Sequence, residues 1–258
     1  MRADDLKRRV EDAIACDKRK RFCVIACHVL WRELCHFAAQ SPHVFDFHFL
    51  KQGLHNTPER LREELQQAVD LRDGGYDALL IGYGLCSNGL QGLRARHTPL
   101  VCVRAHDCIT FLLGSKERYR AYFDTHPGTY WYSPGWIEDS AMPGKDRYEA
   151  ALKTYVEEYG EESARYLIEA TETWISNYNN AAYVDLGVGD TSSFQDYTHR
   201  CAQWLGWQCD FLEGDTRLVR NFLNGVWDCE DFLVVPPGYM VAPSFGERII
   251  EARPIPEQ

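Results

Sequence analysis

Apolar and polar positions along the first half of the chain predict strands that alternate with helices. The four predicted strands cover residues 22–26, 44–50, 76–81 and 100–103. Between the second and third strands, Thr57 and Pro58 mark a helix start, and Leu61, Leu65 and Val69 form a buried stripe at helical spacing. Strands that alternate with helices, without hairpin turns between them, are typical of parallel sheets joined by right-handed crossovers.

The second half of the chain predicts another α/β unit, which follows a segment of different character. Residues 126–145 are rich in aromatic residues, proline and glycine and have no periodicity, so we predict a loop there. The predicted segments are a helical extension (1–20), an α/β lobe (21–125), this aromatic loop (126–145) and a second α/β lobe (146–258). We therefore expect an α/β fold of two Rossmann-like lobes with mainly parallel sheets and a cleft between them. One continuous sheet is the alternative.

Composition limits the classes of partner. The 258 residues are 45% hydrophobic, which is enough for a buried core, and the formal net charge of −10 argues against a broad nucleic-acid interface. No apolar run approaches the roughly 18 residues of a membrane span, and the N-terminus lacks the apolar segment of a secretory signal. We expect a cytoplasmic protein with no membrane or nucleic-acid partner. In that compartment the ten cysteines are not a disulfide framework.

Three of the cysteines stand at or just past the ends of predicted strands. Cys27 ends the first strand, Cys86 stands in the glycine-rich turn after the third, and Cys108 follows the fourth. A strand order of second, first, third, fourth places these strand ends side by side, with neighbouring strands about 4.8 Å apart. Thiolates suit zinc, iron–sulfur clusters or copper(I). The pattern therefore predicts a zinc ion or a [4Fe-4S] cluster on these three residues; the alternative is that they are small core residues.

The glycines around Cys86 are predicted to let the backbone approach this centre. Gly82 and Gly84 allow a positive φ and close approach, and Gly89 allows a tight start to a short helix predicted over residues 88–96. Backbone N–H groups in this turn could offset the charge of thiolates or of an anionic substrate. The candidate substrate contacts in the turn are Gly84, Ser87 and Asn88.

Other polar residues near the same sheet edge are candidates for the chemistry. His106 and Asp107 precede Cys108 and could act as acid and base, and His106 could also be a further metal ligand. The alternative for Asp107 is a helix N-cap. His55 and Asn56 follow the second strand at the same edge and are candidate substrate contacts, with an ordinary turn as the alternative.

The predicted aromatic loop is a candidate cover for a small organic ligand. Tyr130 and Trp136 are its candidate substrate-binding residues, together with Trp131 and Tyr132 between them. An aromatic plug that packs the two lobes together is the alternative, because aromatic side chains bury large apolar areas in either arrangement.

Several short strings in the chain combine glycine, cysteine and proline at predicted turns. They are residues 25–27 (IAC), 53–59 (GLHNTPE), 82–89 (GYGLCSNG), 106–109 (HDCI), 127–130 (PGTY), 133–136 (SPGW) and 234–238 (VVPPG). In these strings the chain resembles an uncharacterised bacterial and archaeal family, domain of unknown function 1638, over about residues 21–240. The resemblance implies that Cys27, Cys86 and Cys108 are family cysteines. It also implies a setting near corrinoid-dependent methyltransferase systems for methylated amines.

These observations support three hypotheses. The first is an enzyme that uses a metal or [4Fe-4S] cluster on the three cysteines for one-carbon or sulfur chemistry on a small molecule. Zinc-activated methyl transfer to a thiol and iron–sulfur-dependent sulfur removal are its two versions. The second is a non-catalytic metal carrier or accessory partner of a corrinoid methyltransferase system. The third is a small-molecule binding protein without a metal, in which the cysteines line the cleft.

Overall fold

A five-stranded sheet lies at the centre of the computed structural model, which describes residues 19–244 and 246–256. Its strand order is β2 (Val44–Leu50), β1 (Arg21–Cys27), β3 (Ala78–Gly82), β4 (Leu100–Val103) and β8 (Phe232–Val235). The first four strands are parallel, and β8 is antiparallel to β4. The predicted order of the first four strands is confirmed, and so is the α/β fold with a mainly parallel sheet.

Apolar patterning explains the position of each strand in this sheet. All five residues of β3 and all four of β4 are buried, as continuous apolar runs require in strands covered on both faces. Strand β2 alternates apolar with polar residues, is mostly half-buried and lies at the edge. The strand ends that carry the candidate cysteines are therefore adjacent.

A second, three-stranded sheet packs against the first. Its strands are β5 (Thr129–Tyr132), β6 (Asn180–Asp185) and β7 (Gln208–Glu213), all parallel. One face contributes Trp131, Ala182 and Val184 to the core of the five-stranded sheet. The other face places Tyr132 and Tyr183 in a separate, smaller core. A common core therefore joins the two sheets.

The C-terminal residues return to the first sheet. Strand β8 completes that sheet, and it is followed by an antiparallel pair, β9 (Tyr239–Pro243) and β10 (Ile250–Pro254). Val241 and Ile250 are fully buried in the larger core, and Met240 forms a bridge to Arg94. The prediction placed these residues in the second lobe, whereas their pairing places them with the first.

Helices cover both sheets. Within the described residues they are α1 (Trp31–Ala38), α2 (Pro58–Asp70), α3 (Ile109–Leu113), α4 (Lys116–Thr125), α5 (Pro134–Asp139), α6 (Lys145–Tyr159), α7 (Glu161–Thr171), α8 (Thr191–Leu205) and α9 (Arg217–Leu223). Short 3-10 turns lie at His28–Leu30, Leu54–Asn56 and Thr173–Asn177. None of the helices in this part of the chain is long and apolar enough to cross a membrane.

Local predictions differ from the structure in three places. The segment predicted as an aromatic loop contains β5 and α5, because its β-prone aromatic residues pair with β6. No helix covers residues 88–96; the chain turns there instead. Helix α2 begins at Pro58 as predicted, but the Thr57 side chain makes no capping hydrogen bond. The helix predicted over residues 1–20 falls almost entirely outside the described residues.

Candidate functional site

The three candidate cysteines lie together at the carboxyl ends of β1, β3 and β4. Cys27 is the last residue of β1 and Cys108 directly precedes α3, and both are at least 90% buried. Cys86, in the turn after β3, is half-buried. Burial raises the pKa of the Cys108 thiol, and the neighbouring Cys27 and Cys86 raise it further. The three side chains are therefore close enough to interact electrostatically.

The thiols form a cluster but not a closed set of metal ligands. Among the residues that the structure describes, no three His, Cys, Asp or Glu side chains are arranged to hold one metal ion. The His106 side chain is exposed, although the sequence offered it as a further ligand. The metal or cluster on these cysteines stays a prediction at this point.

Cys86 lies in a left-handed turn. Cys86, Ser87 and Asn88 have φ values of 45°, 55° and 68°. Left-handed backbone costs roughly 1–2 kcal/mol for each residue with a side chain, and three in succession are unusual. The Cys86 N–H donates to the His106 carbonyl at 2.9 Å, and the Gly89 N–H donates to the Cys86 carbonyl at 3.0 Å. These bonds hold the thiol at the end of β4 despite the strain.

The glycines of this turn allow close packing, and none of them has a positive φ. Gly82, Gly84 and Gly89 have ordinary φ values, so that part of the prediction is wrong. A Cβ on Gly84 would lie 2.6–2.8 Å from backbone atoms of Asp107, and one on Gly82 would lie 2.5 Å from the Ala26 side chain. Close approach is the predicted role that the structure supports.

Tyr83 completes the thiol cluster, although the sequence analysis assigned it no role. Its side chain is 2% exposed, and its hydroxyl has no oxygen or nitrogen partner within the described part of the chain and faces the Cys27 thiol. Burial raises the pKa of the phenol, and the adjacent Cys27, Cys86 and Cys108 raise it further. The only sequence signal was an aromatic residue between Gly82 and Gly84, which does not show the direction of the side chain.

Asp107 connects the thiols to helix α4. Its carboxylate accepts hydrogen bonds from the Tyr119 hydroxyl at 2.6 Å and from the Ile109 N–H at 3.0 Å. The second bond is the N-cap-like contact that was the alternative reading of this residue. Burial raises the pKa of Asp107 above its usual value despite these hydrogen bonds. A carboxyl group with such surroundings, next to Cys86 and Cys108, can hold or release a proton.

Trp136 forms a wall of the cluster. Its indole N–H is buried without an oxygen or nitrogen acceptor in the described residues, and it faces the Cys108 thiol. The His55 ring stacks on the indole at 6.2 Å with an interplanar angle of 15°, and Tyr130 meets its other side edge-on at 6.4 Å. Burial lowers the pKa of His55. The aromatic segment is thus a packed part of the fold.

Helix α5 holds this wall in place. Gly135 packs so closely on the 3-10 turn after β1 that a Cβ would collide with a backbone oxygen there. The Asp139 carboxylate forms a hydrogen bond with Nδ1 of the His28 ring at 2.7 Å. Glu138 forms a bidentate ion pair with Arg32. The second sheet therefore positions one side of the thiol cluster on the first sheet.

The remaining predicted site residues are less central. His106 is exposed and lines a cavity of about 560 Å³, which Tyr119 also lines. The side chains of Asn56, Ser87 and Asn88 are exposed at the surface near the turn. Tyr130 belongs to an aromatic cluster of the second sheet that also contains Tyr132, Trp174, Tyr178 and Trp207.

A family model matches most of the chain. It is described as "Protein of unknown function (DUF1638)" and matches residues 49–223, which is more than half of the 258 residues. The chain belongs to this family. The DUF1638 match includes Cys86, Asp107 and Cys108 but begins after Cys27, so it is narrower than the resemblance over residues 21–240. No curated protein and no solved structure matches the chain.

Proposed function

We propose that this DUF1638 protein holds a zinc ion or a [4Fe-4S] cluster on Cys27, Cys86 and Cys108 and uses it for chemistry on a small molecule. One observation carries the proposal: three thiols converge at the ends of three adjacent parallel strands, in a single largely buried cluster. Ligands of open parallel sheets bind at this edge. Three cysteine ligands leave one position for a substrate on either group.

The chemistry of the surrounding residues fits such a group. Thiolates are the ligands that zinc and iron–sulfur clusters prefer. The Tyr83 hydroxyl and the Trp136 indole N–H both face the thiols and have no other partner among the described residues. Hydrogen bonds from such donors stabilise thiolate sulfur. Because the thiols are not arranged as ligands in this conformation, the proposal includes a change of their side-chain rotamers on loading.

The other residues of the cluster have supporting roles in this proposal. A bound zinc ion or cluster supplies a Lewis-acid centre with an open position. Asp107, hydrogen-bonded to Tyr119, holds or releases a proton next to the sulfurs. Trp136 and His55 exclude water from one side. The cavity beside His106 and Tyr119 offers a small substrate a place to bind close to this carboxylate.

The cellular setting of the proposal comes from the family resemblance. It is one-carbon or sulfur metabolism in the cytoplasm, with a corrinoid methyltransferase system as the partner. The alternative proposal is a non-catalytic metal carrier for that system. Cys86 supports this alternative, because the residue as a whole is half-buried and stands in a strained turn next to the exposed Ser87 and Asn88.

The test is anaerobic purification followed by metal analysis and absorption spectroscopy. A [4Fe-4S] cluster would give a broad band at roughly 400 nm from thiolate-to-iron charge transfer, and a zinc site would give one equivalent of colourless metal. We expect Cys86→Ser to lose most of the metal. Cys35→Ser changes a half-buried thiol on α1 and is the matched control, which should load normally.

Two results would contradict the proposal. One is a chain that holds neither zinc nor iron after anaerobic reconstitution with both. The other is that Cys86→Ser and Cys108→Ser both still bind the metal with the stoichiometry of the wild type. If metal is bound, transfer of it to an acceptor chelator without turnover of any thiol or methylated substrate would favour the carrier over the enzyme.

A further inference from the structure

A second group of buried polar atoms lies at the carboxyl end of β6. Glu33, in the first turn of α1, is 1% exposed, and both of its carboxylate oxygens lack hydrogen-bond partners among the described residues. The hydroxyl of Tyr183, which is also 1% exposed, and Oδ2 of Asp185 have no partner among the described residues outside this group, and they face each other. Buried polar atoms are nearly always paired with protein, water or an ion. Four buried oxygens on three side chains, with no hydrogen-bond partner outside this group in the described residues, therefore need an explanation.

These oxygens face one another and carry an excess of negative charge. Burial raises the pKa of the Tyr183 phenol, the Asp185 carboxyl that its hydroxyl faces raises it further, and the charge of Glu33 acts in the same direction. Burial raises the pKa of Glu33 to about 7, and Asp185 and Glu138 also act in that direction. The nearby Arg32 is engaged by Glu138 in a bidentate ion pair. The charge of Arg32 still lowers the pKa of Glu33, but this guanidinium is shared with Glu138 and therefore does not balance both Glu33 and Asp185.

We propose that Glu33, Asp185 and Tyr183 form a binding site for a hard divalent cation such as Mg²⁺, Mn²⁺ or Ca²⁺. Carboxylate and hydroxyl oxygens are the ligands that such cations prefer, whereas zinc and iron–sulfur clusters prefer the thiols at the other site. Mg²⁺ is commonly held by only one or two carboxylates and keeps several waters. The site therefore agrees with the finding that no three His, Cys, Asp or Glu ligands converge within the described residues.

The surroundings of the three residues indicate an entry route for the cation and an effect of its binding on the fold. Asp185 is half-buried, and its second oxygen accepts the N–H of the exposed Gly187 at 2.7 Å, so the site opens at this turn. Glu33 belongs to the helix after β1, whereas Tyr183 and Asp185 belong to the middle strand of the second sheet. A bound cation would therefore tie the two sheets together beside α5.

Manganese binding tests this proposal on the full-length protein. After removal of metals with a chelator, titration with MnCl₂ is followed by the electron paramagnetic resonance signal of free Mn²⁺. We expect one bound Mn²⁺ per chain, with affinity at least about tenfold weaker in Glu33→Gln and in Asp185→Asn, since each removes one of two charged ligands. Glu213→Gln is the matched control, because Glu213 pairs in register with Asp185 but is exposed.

The outcome separates this site from the thiol site. Cys86→Ser should bind Mn²⁺ as tightly as the wild type, so the failure of one proposal leaves the other intact. Thermal unfolding provides a second measurement that also shows whether each variant is folded. Mn²⁺ should raise the Tm of the wild type and of Glu213→Gln but not that of Glu33→Gln. The absence of Mn²⁺ binding to the wild type would overturn the proposal. Binding that persists in both Glu33→Gln and Asp185→Asn would also overturn it.

Discussion

At the scale of single residues, Gly84 determines how closely the Cys86 turn approaches Asp107. We predict that Gly84→Ala lowers the free energy of unfolding by about 1–3 kcal/mol, because its Cβ would press on the Asp107 backbone at 2.6–2.8 Å. The same variant should lower metal loading of the thiol cluster, since it separates Cys86 from Cys108. Urea denaturation and metal analysis measure the two effects.

A second glycine provides the control for this prediction. Gly75 has no positive φ, and its nearest neighbour would lie 3.6 Å from a new Cβ, so Gly75→Ala should change stability by less than about 1 kcal/mol. Equal stabilities of Gly84→Ala and Gly75→Ala would show that the turn has room to relax. The role of Gly84 in close packing would then be wrong.

The sequence allowed the three thiols to be placed but not their surroundings. Strand order places the ends of β1, β3 and β4 side by side, but the final position of Cys86 also depends on the left-handed turn and its bond to the His106 carbonyl. The direction of the Tyr83 side chain, and the charge interaction between Glu33 on α1 and Asp185 on β6, depend on packing between elements that are far apart in the chain. Spacing along one element contains no information on such contacts.

At the scale of elements, Asp73 joins the end of α2 to the start of β4. Its carboxylate accepts the N–H groups of His97 and Thr98 at 2.9 and 2.8 Å and the His97 ring at 2.6 Å. Burial alone would raise the pKa of Asp73, but these hydrogen bonds outweigh it and lower the pKa to about 2. The carboxylate form is therefore the one that stabilises this connection.

Because the pKa of Asp73 is lowered in the folded protein, its contribution to stability depends on pH in a definite direction. The stabilisation is fully present above the ordinary pKa of 3.8 and is lost as the pH falls through about 2. We expect Asp73→Asn to lower the free energy of unfolding by about 1 kcal/mol at pH 7, with the difference from wild type shrinking below about pH 4. Urea denaturation at pH 7, 4 and 2.5 measures this difference.

An exposed ion pair provides the comparison. Within the described residues, Asp124 forms an ion pair with Arg120 on α4, and both side chains are more than 60% exposed. Asp124→Asn should therefore change stability by no more than a few tenths of a kcal/mol at any of these pH values. A pH-independent loss in Asp73→Asn, or an equal loss in Asp124→Asn, would contradict the role given to Asp73.

Helices and strands were predictable wherever the apolar residues followed one clear spacing. Strands β1, β3 and β4 are short apolar runs and β2 alternates apolar with polar residues, whereas α2 has a proline start and a buried stripe, so these strands and this helix were located correctly. Strand β5 was missed because four residues next to prolines and glycines are too few to show alternation. The helix predicted over residues 88–96 does not form, since the left-handed backbone of residues 86–88 turns the chain before it.

At the scale of the whole molecule, the two sheets share one core. Trp131, Ala182 and Val184 of the second sheet are packed with the buried residues of the first, and α5 adds ion pairs across the same boundary. The C-terminal strands return to the first sheet after the second is complete. Neither sheet can therefore unfold without exposing apolar surface of the other, which favours a single cooperative transition even in a chain of this length.

Val184→Ala tests this coupling directly. Val184 is fully buried, and loss of two methyl groups should lower the free energy of unfolding by about 1–3 kcal/mol. Because the core is shared, we expect far-UV circular dichroism and tryptophan fluorescence to shift to lower denaturant together, with the transition still single. Val226→Ala changes a side chain that is 54% exposed and should leave the midpoint nearly unchanged. Two separated transitions in Val184→Ala would mean that the sheets unfold independently, and α5 would then be a contact between two domains and not part of one core.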